Sequence, residues 1–502
     1  MSLMTRAKDT KNKGGKYVVP QEISLVTETL QKAGFEAYLV GGCVRDMISG
    51  KKPKDWDVTT NAKPDQITAL FPKTFYENDY GTVGVVNENI DDETLKIIEV
   101  TPYRIEGIYS DKRRPDQVIF TEKIEDDLKR RDFTVNAIAY DISKGQIIDP
   151  YKGQEDIKDR TIKTVGVSHD RFSEDALRIL RAVRLSVELG FTINKETADA
   201  IKKESAGLKE IAKERIRDEF IKIVNSPSPM VGIILAQKLG ILKYVIPELE
   251  AGIDLEQNGD HIYSVWEHNL RALQHSADRG WPLHVKLAAL LHDVSKPETR
   301  RWSKENDDWT FYGHDVVGGR VSREILKRLK FPSEIVETVS KLVRYHLFFS
   351  DVEKITLSAV RRIVKNVGPE NVWDLMKVRA CDRIGMGRPK ETPYRLRKYE
   401  AMIEEAMRSP TSVGMLKIDG AKIISVTREN SGPKIGFILH ALLEEVLDNP
   451  SLNTEEYLEK RTLELTKLPD EELKKLGEKG KEKKEEKEAQ EIEEIRKRHW
   501  VK

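Results

Sequence analysis

A chain of 502 residues is too long for one compact domain, and at about 100 to 200 residues each it predicts three or four. Lys and Arg total 85 against 84 Asp and Glu, a net charge of +1 that excludes a uniformly basic nucleic-acid coat and leaves only local patches for a polyanion. Two cysteines, Cys43 and Cys381, exclude a disulfide framework; with no run of about 18 apolar residues and no apolar leader core, the sequence predicts a soluble, cytoplasmic chain with no membrane partner.

Residues 1–19 read as a disordered tail, lysine-rich around a Gly-Gly pair. Structure is expected from Pro20, with an amphipathic helix EISLVTETLQKAG closed by Gly34. A β/α region over 20–160 follows, its short strands EAYLV, DWDVTT, YGTVGVV, LKIIEV and QVIF separated by turns and helical stretches. Beyond residue 160 the pattern is helical, dividing into segments 161–250, 251–395 and 396–465, with breaks at the SPSP of 226–229, at Gly252 and at Gly385–Arg388. Residues 466–502 alternate Lys and Glu and read as a charged helix or a disordered tail. The fold class is therefore α+β: a small mixed sheet followed by a long all-α region.

The densest chemistry lies in YLVGGCVRDMISGKKPKDWDV. A strand leads into Gly41–Gly42 and then into a helix near Val44, an arrangement that lets backbone amides approach an anion. In DWDV the two-residue period of a strand sends Asp55 and Asp57 to one face and Trp56 to the other. Two carboxylates about 7 Å apart suit one or two Mg²⁺ ions on a triphosphate, and nucleotidyl transfer needs positioning and cations more than covalent help. Glu99, in the strand KIIEV, is either a third carboxylate beside the pair or a surface residue.

Arg104, Arg113, Arg114, Arg130 and Arg131 concentrate basic charge around a Gly/Pro/Asp loop, suited to a triphosphate or an RNA backbone. In RRDFTVNA, Asp132 and Asn136 stand four apart, as on one helix face, offering an acceptor and an amide to ribose hydroxyls; a plain helix cap is the alternative. In RFSEDALRILRAVRLSVEL, with Ser173 as the expected N-cap, Asp175 and Arg178 share a helix face. That pair either reads a base edge or forms a surface salt bridge.

Together, LVGGCVRD, KDWDVTT, RRDFTVNAIAYD, DPYKGQEDI, RFSEDALRILRAVR and ERIRDEF occur in the order of the bacterial class II tRNA nucleotidyltransferase and poly(A) polymerase family, of the DNA polymerase beta superfamily, and the chain resembles it closely over about 20–250. The resemblance implies a nucleotidyltransferase head over 20–160 and a helical neck over 161–250. It implies that Asp55 and Asp57 hold the catalytic Mg²⁺, and that Gly41, Gly42, Arg45 and Asp46 form the nucleotide-binding turn. Arg131, Asp132 and Asn136 would contact ribose and phosphate, and Asp175 and Arg178 would read the base, with Arg181 and Arg184 beside them at the nucleotide. Arg215 would brace the neck and, with Arg113 and Arg114, meet RNA. The family adds C, C and A to the tRNA 3′ end from CTP and ATP without a template. The loop GIYSDKRRPDQVIF resembles the flexible element of members that complete the final A. CC addition and poly(A) synthesis are the alternatives within the family.

Between 261 and 385 stand WEHNL, LLHDVSKPET, YGHDVVGG, LVRYHL and RACDRIG, which bring histidines, an adjacent His-Asp pair and a downstream Asp, each within a helical stretch. Such nitrogen and oxygen donors suit a divalent transition metal or Mg²⁺. The segment resembles an HD-type phosphohydrolase domain. That resemblance implies His268, His292, Asp293 and Asp382 as core metal ligands, His314 and His346 as the extra ligands of dinuclear members, and Lys296 as a phosphate contact. Ser295 stands where the motif usually has glycine. The segment 396–465 resembles the family's tRNA-holding tail, with a helix opened by Gly432–Pro433. Two readings from other classes compete with tRNA end synthesis: an HD phosphohydrolase whose head senses nucleotide, and an RNA-binding chaperone on a polymerase scaffold.

Overall fold

Helix α1, Gln21–Lys32, turns Ile23, Val26, Thr27 and Leu30 inward, the spacing of one helix face, and Gly34 closes it at φ +90° as the sequence predicts. The computed structural model describes residues 17–76, 81–88, 90–107, 118–258, 261–348, 355–407 and 413–501. Most of the N-terminal tail and the greater part of the GIYSDKRRPDQVIF loop, with Arg113 and Arg114, lie outside the described residues. By its contacts the chain divides into two units, Met1–Arg344 with Cys381–Arg388, and Tyr345–Ala380 with Pro389–Lys502.

The first unit opens with a seven-stranded mixed sheet. Its strands are β1 (Ala37–Val40), β2 (Asp57–Thr60), β3 (Thr74–Tyr76), β4 (Val83–Val86) and β5 (Ile97–Pro102), with β8 (Ala139–Asp141) and β9 (Gln146–Ile148). Their order is β3-β4-β5-β2-β1-β8-β9; β6 (Arg104–Glu106) and β7 (Val118–Phe120) form a separate ribbon. β1 is buried at every residue, as its apolar run requires in mid-sheet. It runs antiparallel to β2, whereas β2 and β5 run parallel with Asp57 opposite Glu99. Helices α2 (Gly42–Ile48), α3 (Pro64–Leu70), α4 (Ile124–Lys129) and α5 (Gly153–Lys158) complete the head.

The helix expected to run on from Ser173 is interrupted near its start, and helical structure begins before that residue. α6 covers Ser168–Glu174 and α7 covers Leu177–Leu189, while Asp175 between them has extended dihedrals. Ser173 therefore lies inside α6 and is no N-cap, and Asp175 shares no helix face with Arg178. The break has a local cause: the Asp175 carboxylate accepts the Leu177 amide, an acid's usual competition with the helical ladder. After β10 (Thr161–Ile162) and β11 (Thr192–Ile193), α8 (Lys195–Glu204), α9 (Lys213–Val224) and α10 (Pro229–Lys238) finish the neck, with the SPSP break between the last two. Then come α11 (Val265–Asp278), α12 (Leu283–Leu291), α13 (Lys296–Thr299), the ribbon β12 (Arg301–Ser303) and β13 (Asp308–Thr310), α14 (His314–Arg328) and α15 (Ser333–Tyr345).

The second unit contains α16 (Leu357–Val367), most of α17 (Val372–Gly385), α18 (Tyr394–Met407), α19 (Gly420–Thr427), α20 (Pro433–Asp448), α21 (Glu455–Thr466) and α22 (Asp470–Arg498). Gly432 precedes the first turn of α20, as expected. The Lys/Glu tail is one long helix with a face packed on α20. Leu473 is fully buried, and a Cβ on Gly480 would sit 2.2 Å from the His440 carbonyl oxygen, so the helices meet backbone to backbone. Among the described residues no helix is long and apolar enough to cross a membrane.

Candidate functional site

The residues after β1 turn sharply. Gly41 sits at φ +81° and ψ −133°, a positive-φ conformation outside the left-handed helical region, one that glycine alone adopts readily, and its amide donates to the Ile138 carbonyl. A Cβ there would lie 3.2 Å from Arg131 Nη1 and 3.5 Å from Asp57 Oδ2, so the glycine lets a cation and an acid converge on the turn. The ladder of β2 begins at Asp57, two residues later than the sequence predicts, so Asp55 precedes the strand in a bend. The expected alternation persists: Trp56 is buried at 3% exposure, while Asp55 is exposed and Asp57 half-buried. Both carboxylates line one cleft of about 650 Å³. Glu99 is exposed and registers with Asp57 on the adjacent parallel strand, which sets the two carboxylates on the same sheet face.

A chain of polar contacts crosses from the turn to the neck. Arg45 donates through Nε to Asp46 at 2.9 Å and through Nη1 to Asn136 Oδ1 at 2.7 Å. Asn136 Nδ2 donates to Asp132 Oδ1 at 3.3 Å, and Arg181 Nε donates to Asp132 Oδ2 at 2.8 Å. Asp132 and Asn136 thus meet without the helix face the sequence predicts. Asp132 lies in a turn, and Thr134–Asn136 is a single 3₁₀ turn. Burial opposes the Asp132 charge, but the Arg181 guanidinium outweighs it and holds the carboxyl at about 2. The buried Asp127 does the same for the basic pair, accepting from Arg130 at 2.9 Å and Arg131 at 3.1 Å. Burial opposes the Asp127 charge too, and the two arginines keep its pKa below the ordinary value.

Arg45, Asp46, Asn136, Arg181 and Arg184 join the two aspartates in lining the cleft, and Lys54, Lys222 and Ser226 line it as well. Arg184 is set against Glu219, 3.3 Å away, and Glu188. The Arg178 amide donates to the Asp175 carbonyl at 3.0 Å, and the two side chains each bind a further charged group. Arg215 Nη2 donates to Asp175 Oδ2 at 2.7 Å, tying α9 to the break between α6 and α7, and Arg178 Nη1 donates to Glu174 at 2.6 Å.

The second cluster is buried among helices. His268 lies in the first turn of α11. His292 and Asp293 follow the end of α12 in a turn, and His314 is the first residue of α14, so the doublet is not helical as expected. His268 Nε2 stands 2.8 Å from His292 Nε2, 3.1 Å from Asp293 Oδ2 and 3.4 Å from Asp382 Oδ1. His314 Nε2 lies 3.1 Å from Asp293 Oδ1. Nitrogens bound at right angles to a cation at about 2.1 Å stand about 3 Å apart, so this donor set fits a divalent metal. Burial opposes protonation of His268, yet Asp293 and Asp382 raise its pKa to about 9, a cationic charge in the place a metal would take. Lys296 Nζ binds Asp293 Oδ2 at 2.6 Å and Gln257 Oε1 at 2.5 Å. His346 is buried just after α15, in the second unit.

Two features here escape sequence reasoning. The Ser295 hydroxyl donates to the His314 carbonyl at 2.6 Å, so the serine in a glycine's usual place anchors the turn that presents His314. His261 packs edge-on against His268 with ring centroids 5.4 Å apart. Burial, then Lys296 and His268, push its pKa down to about 4. It precedes α11, so no helical spacing relates it to His268.

The Poly A polymerase head domain family matches residues 37–163, the probable RNA and SrmB-binding site of polymerase A matches 190–253, and the HD domain matches 260–384. The CCA-adding enzyme of Geobacillus kaustophilus is 38% identical over 300 residues, 56% of this chain and 72% of its own length. The CC-adding tRNA nucleotidyltransferase of Thermus thermophilus is 32% identical over 429 residues, 82% of this chain and 89% of its own. The crystal structure of the Bacillus stearothermophilus CCA-adding enzyme in complex with CTP superposes with a TM-score of 0.58 at 28% identity, covering 88% of this chain and 96% of that one. With the glycine turn and its acids in the head and the neck arginines across the cleft, the chain belongs to the tRNA nucleotidyltransferase family that contains the CCA-adding enzymes.

Proposed function

We propose that this chain adds C, C and A in turn to the 3′ end of tRNA from CTP and ATP, in the cytoplasm. The observation that carries the reading is the cleft itself: Asp55 and Asp57 on the head side, with Asp57 beside Gly41, and Arg181 and Arg184 on the neck side. An all-oxygen donor set with Glu99 in register fits Mg²⁺, a hard cation. Cations held there would activate the primer 3′-hydroxyl and neutralise the triphosphate. Gly41 and Gly42 open the turn to the phosphates. Arg131, fixed by Asp127, and Arg45, fixed by Asp46 and Asn136, add positive charge without moving, which is the preorganisation that phosphoryl transfer rewards.

Asp175 and Arg178 are the proposed base readers, and Arg215 and Glu174 keep each from swinging. Fixed polar edges penalise GTP and UTP by leaving donors and acceptors unpaired. Arg113, Arg114 and Arg215 are proposed to meet the RNA.

The test uses tRNA lacking its terminal trinucleotide. CTP with ATP is expected to extend it by three residues and CTP alone by two. A stop after two with both nucleotides present makes this a CC-adding enzyme like the Thermus relative, and a long adenosine ladder makes it a tailing enzyme. No extension at all refutes the reading.

The buried His/Asp cluster favours a second activity, phosphoester hydrolysis at a metal held by His268, His292, Asp293 and Asp382, with His314 as an additional donor and Lys296 at the phosphate. Release of nitrophenol from a nitrophenyl phosphate ester, dependent on added cation and lost in His292→Ala, checks it.

A further inference from the structure

Two histidines of the helical cluster, His292 and His314, share one hydrogen-bond signature. His292 Nδ1 lies 2.8 Å from the Ala289 carbonyl oxygen and His314 Nδ1 lies 2.6 Å from that of Phe311. A carbonyl only accepts, so each Nδ1 carries a proton and the Nε2 of each ring is the atom left to face the cluster. Such a bond from the far ring nitrogen to a carbonyl fixes tautomer and ring angle in metal-ligating histidines. His261 repeats it, with Nδ1 3.0 Å from the Asn258 carbonyl oxygen. A ligating atom of His261 also lies within 4.8 Å of those of His268 and Asp382.

We propose that His261 is a further ligand of the cation held by His268, His292, Asp293 and Asp382. The inference rests on reading that cluster as a metal centre. The donor shell then extends on the Asp382 side, away from the His314 contact, and carries three imidazoles. Such a shell prefers Co²⁺, Ni²⁺ or Zn²⁺ to Mg²⁺, because imidazole nitrogen suits borderline metals and oxygen suits hard ones. The helical site would therefore load a different metal from the head.

The experiment uses the full chain with Asp55→Ala and Asp57→Ala, so that the head carboxylates bind no metal, stripped by chelator and titrated with Co²⁺ by calorimetry and visible absorption. His261→Ala is expected to weaken the tight site by about 10- to 100-fold and to change the Co²⁺ spectrum. His261→Asn, which keeps a donor for the Asn258 carbonyl but loses the ligand nitrogen, is expected to do the same. His292→Ala should abolish the tight site. Unchanged affinity and spectrum in both His261 variants, with binding lost in His292→Ala, overturns the inference and leaves the metal centre standing. No tight Co²⁺ site in the parent overturns both. With the head aspartates restored, nucleotide addition by the His261 variants should match the parent, which establishes that they fold.

Discussion

Asp132→Asn tests the polar chain joining head to neck. The carboxylate is buried at 8% exposure and accepts from the Phe133 amide at 2.8 Å, Asn136 Nδ2 at 3.3 Å and Arg181 Nε at 2.8 Å. An asparagine amide in either orientation turns a donor toward a donor. The depression of the Asp132 pKa from 3.8 to about 2 corresponds to about 2 kcal/mol of stabilisation by the charged form. Because the folded pKa is the lower one, that stability is present in full above pH 4 and lost as pH falls through 2, with about half remaining at pH 3. Hydrogen exchange by mass spectrometry on the full chain should show protection in 130–141 and 177–189 falling about 30-fold at pH 7 in the variant. The gap from the parent should narrow by pH 3. Equal protection at pH 7, or a gap that widens on acidification, would refute the reasoning.

Gly41→Ala should cut nucleotide incorporation by at least about tenfold, since it forces a non-glycine residue to φ +81° and adds a Cβ 3.2 Å from Arg131 Nη1; a rate within twofold of the parent contradicts this. Gly480→Ala should lift α22 from α20 at a cost of about 1–3 kcal/mol, read as faster proteolysis within 470–498; an unchanged digestion pattern means the close approach is not there.

Much of the head was legible because its chemistry is local. A buried strand, two glycines and a short helix follow one another between Ala37 and Ile48, and the Asp55/Asp57 alternation held even though the hydrogen-bonded strand starts only at Asp57. The base-reading stretch misled because helical periodicity continues through Asp175, while the break there depends on one carboxylate choosing the Leu177 amide and a distant Arg215. The roles of Asp127, Ser295 and His261 could not be read at all. Each depends on partners set by packing: arginines on a buried acid, a hydroxyl on a carbonyl 19 residues away, and a ring laid against His268 from outside its helix. The charged tail looked solvated because its docking face is carried partly by glycines, which add nothing to a hydrophobic pattern.

The most direct measurement is single-turnover incorporation of labelled CMP into tRNA lacking its 3′ trinucleotide, comparing the parent with Asp55→Ala and Asp57→Ala. Loss of at least about a thousandfold in each variant, with Co²⁺ binding at the helical cluster unaltered, is the predicted result. Incorporation within about tenfold of the parent would mean that the two acids of the cleft do not hold the metal that transfers the nucleotide.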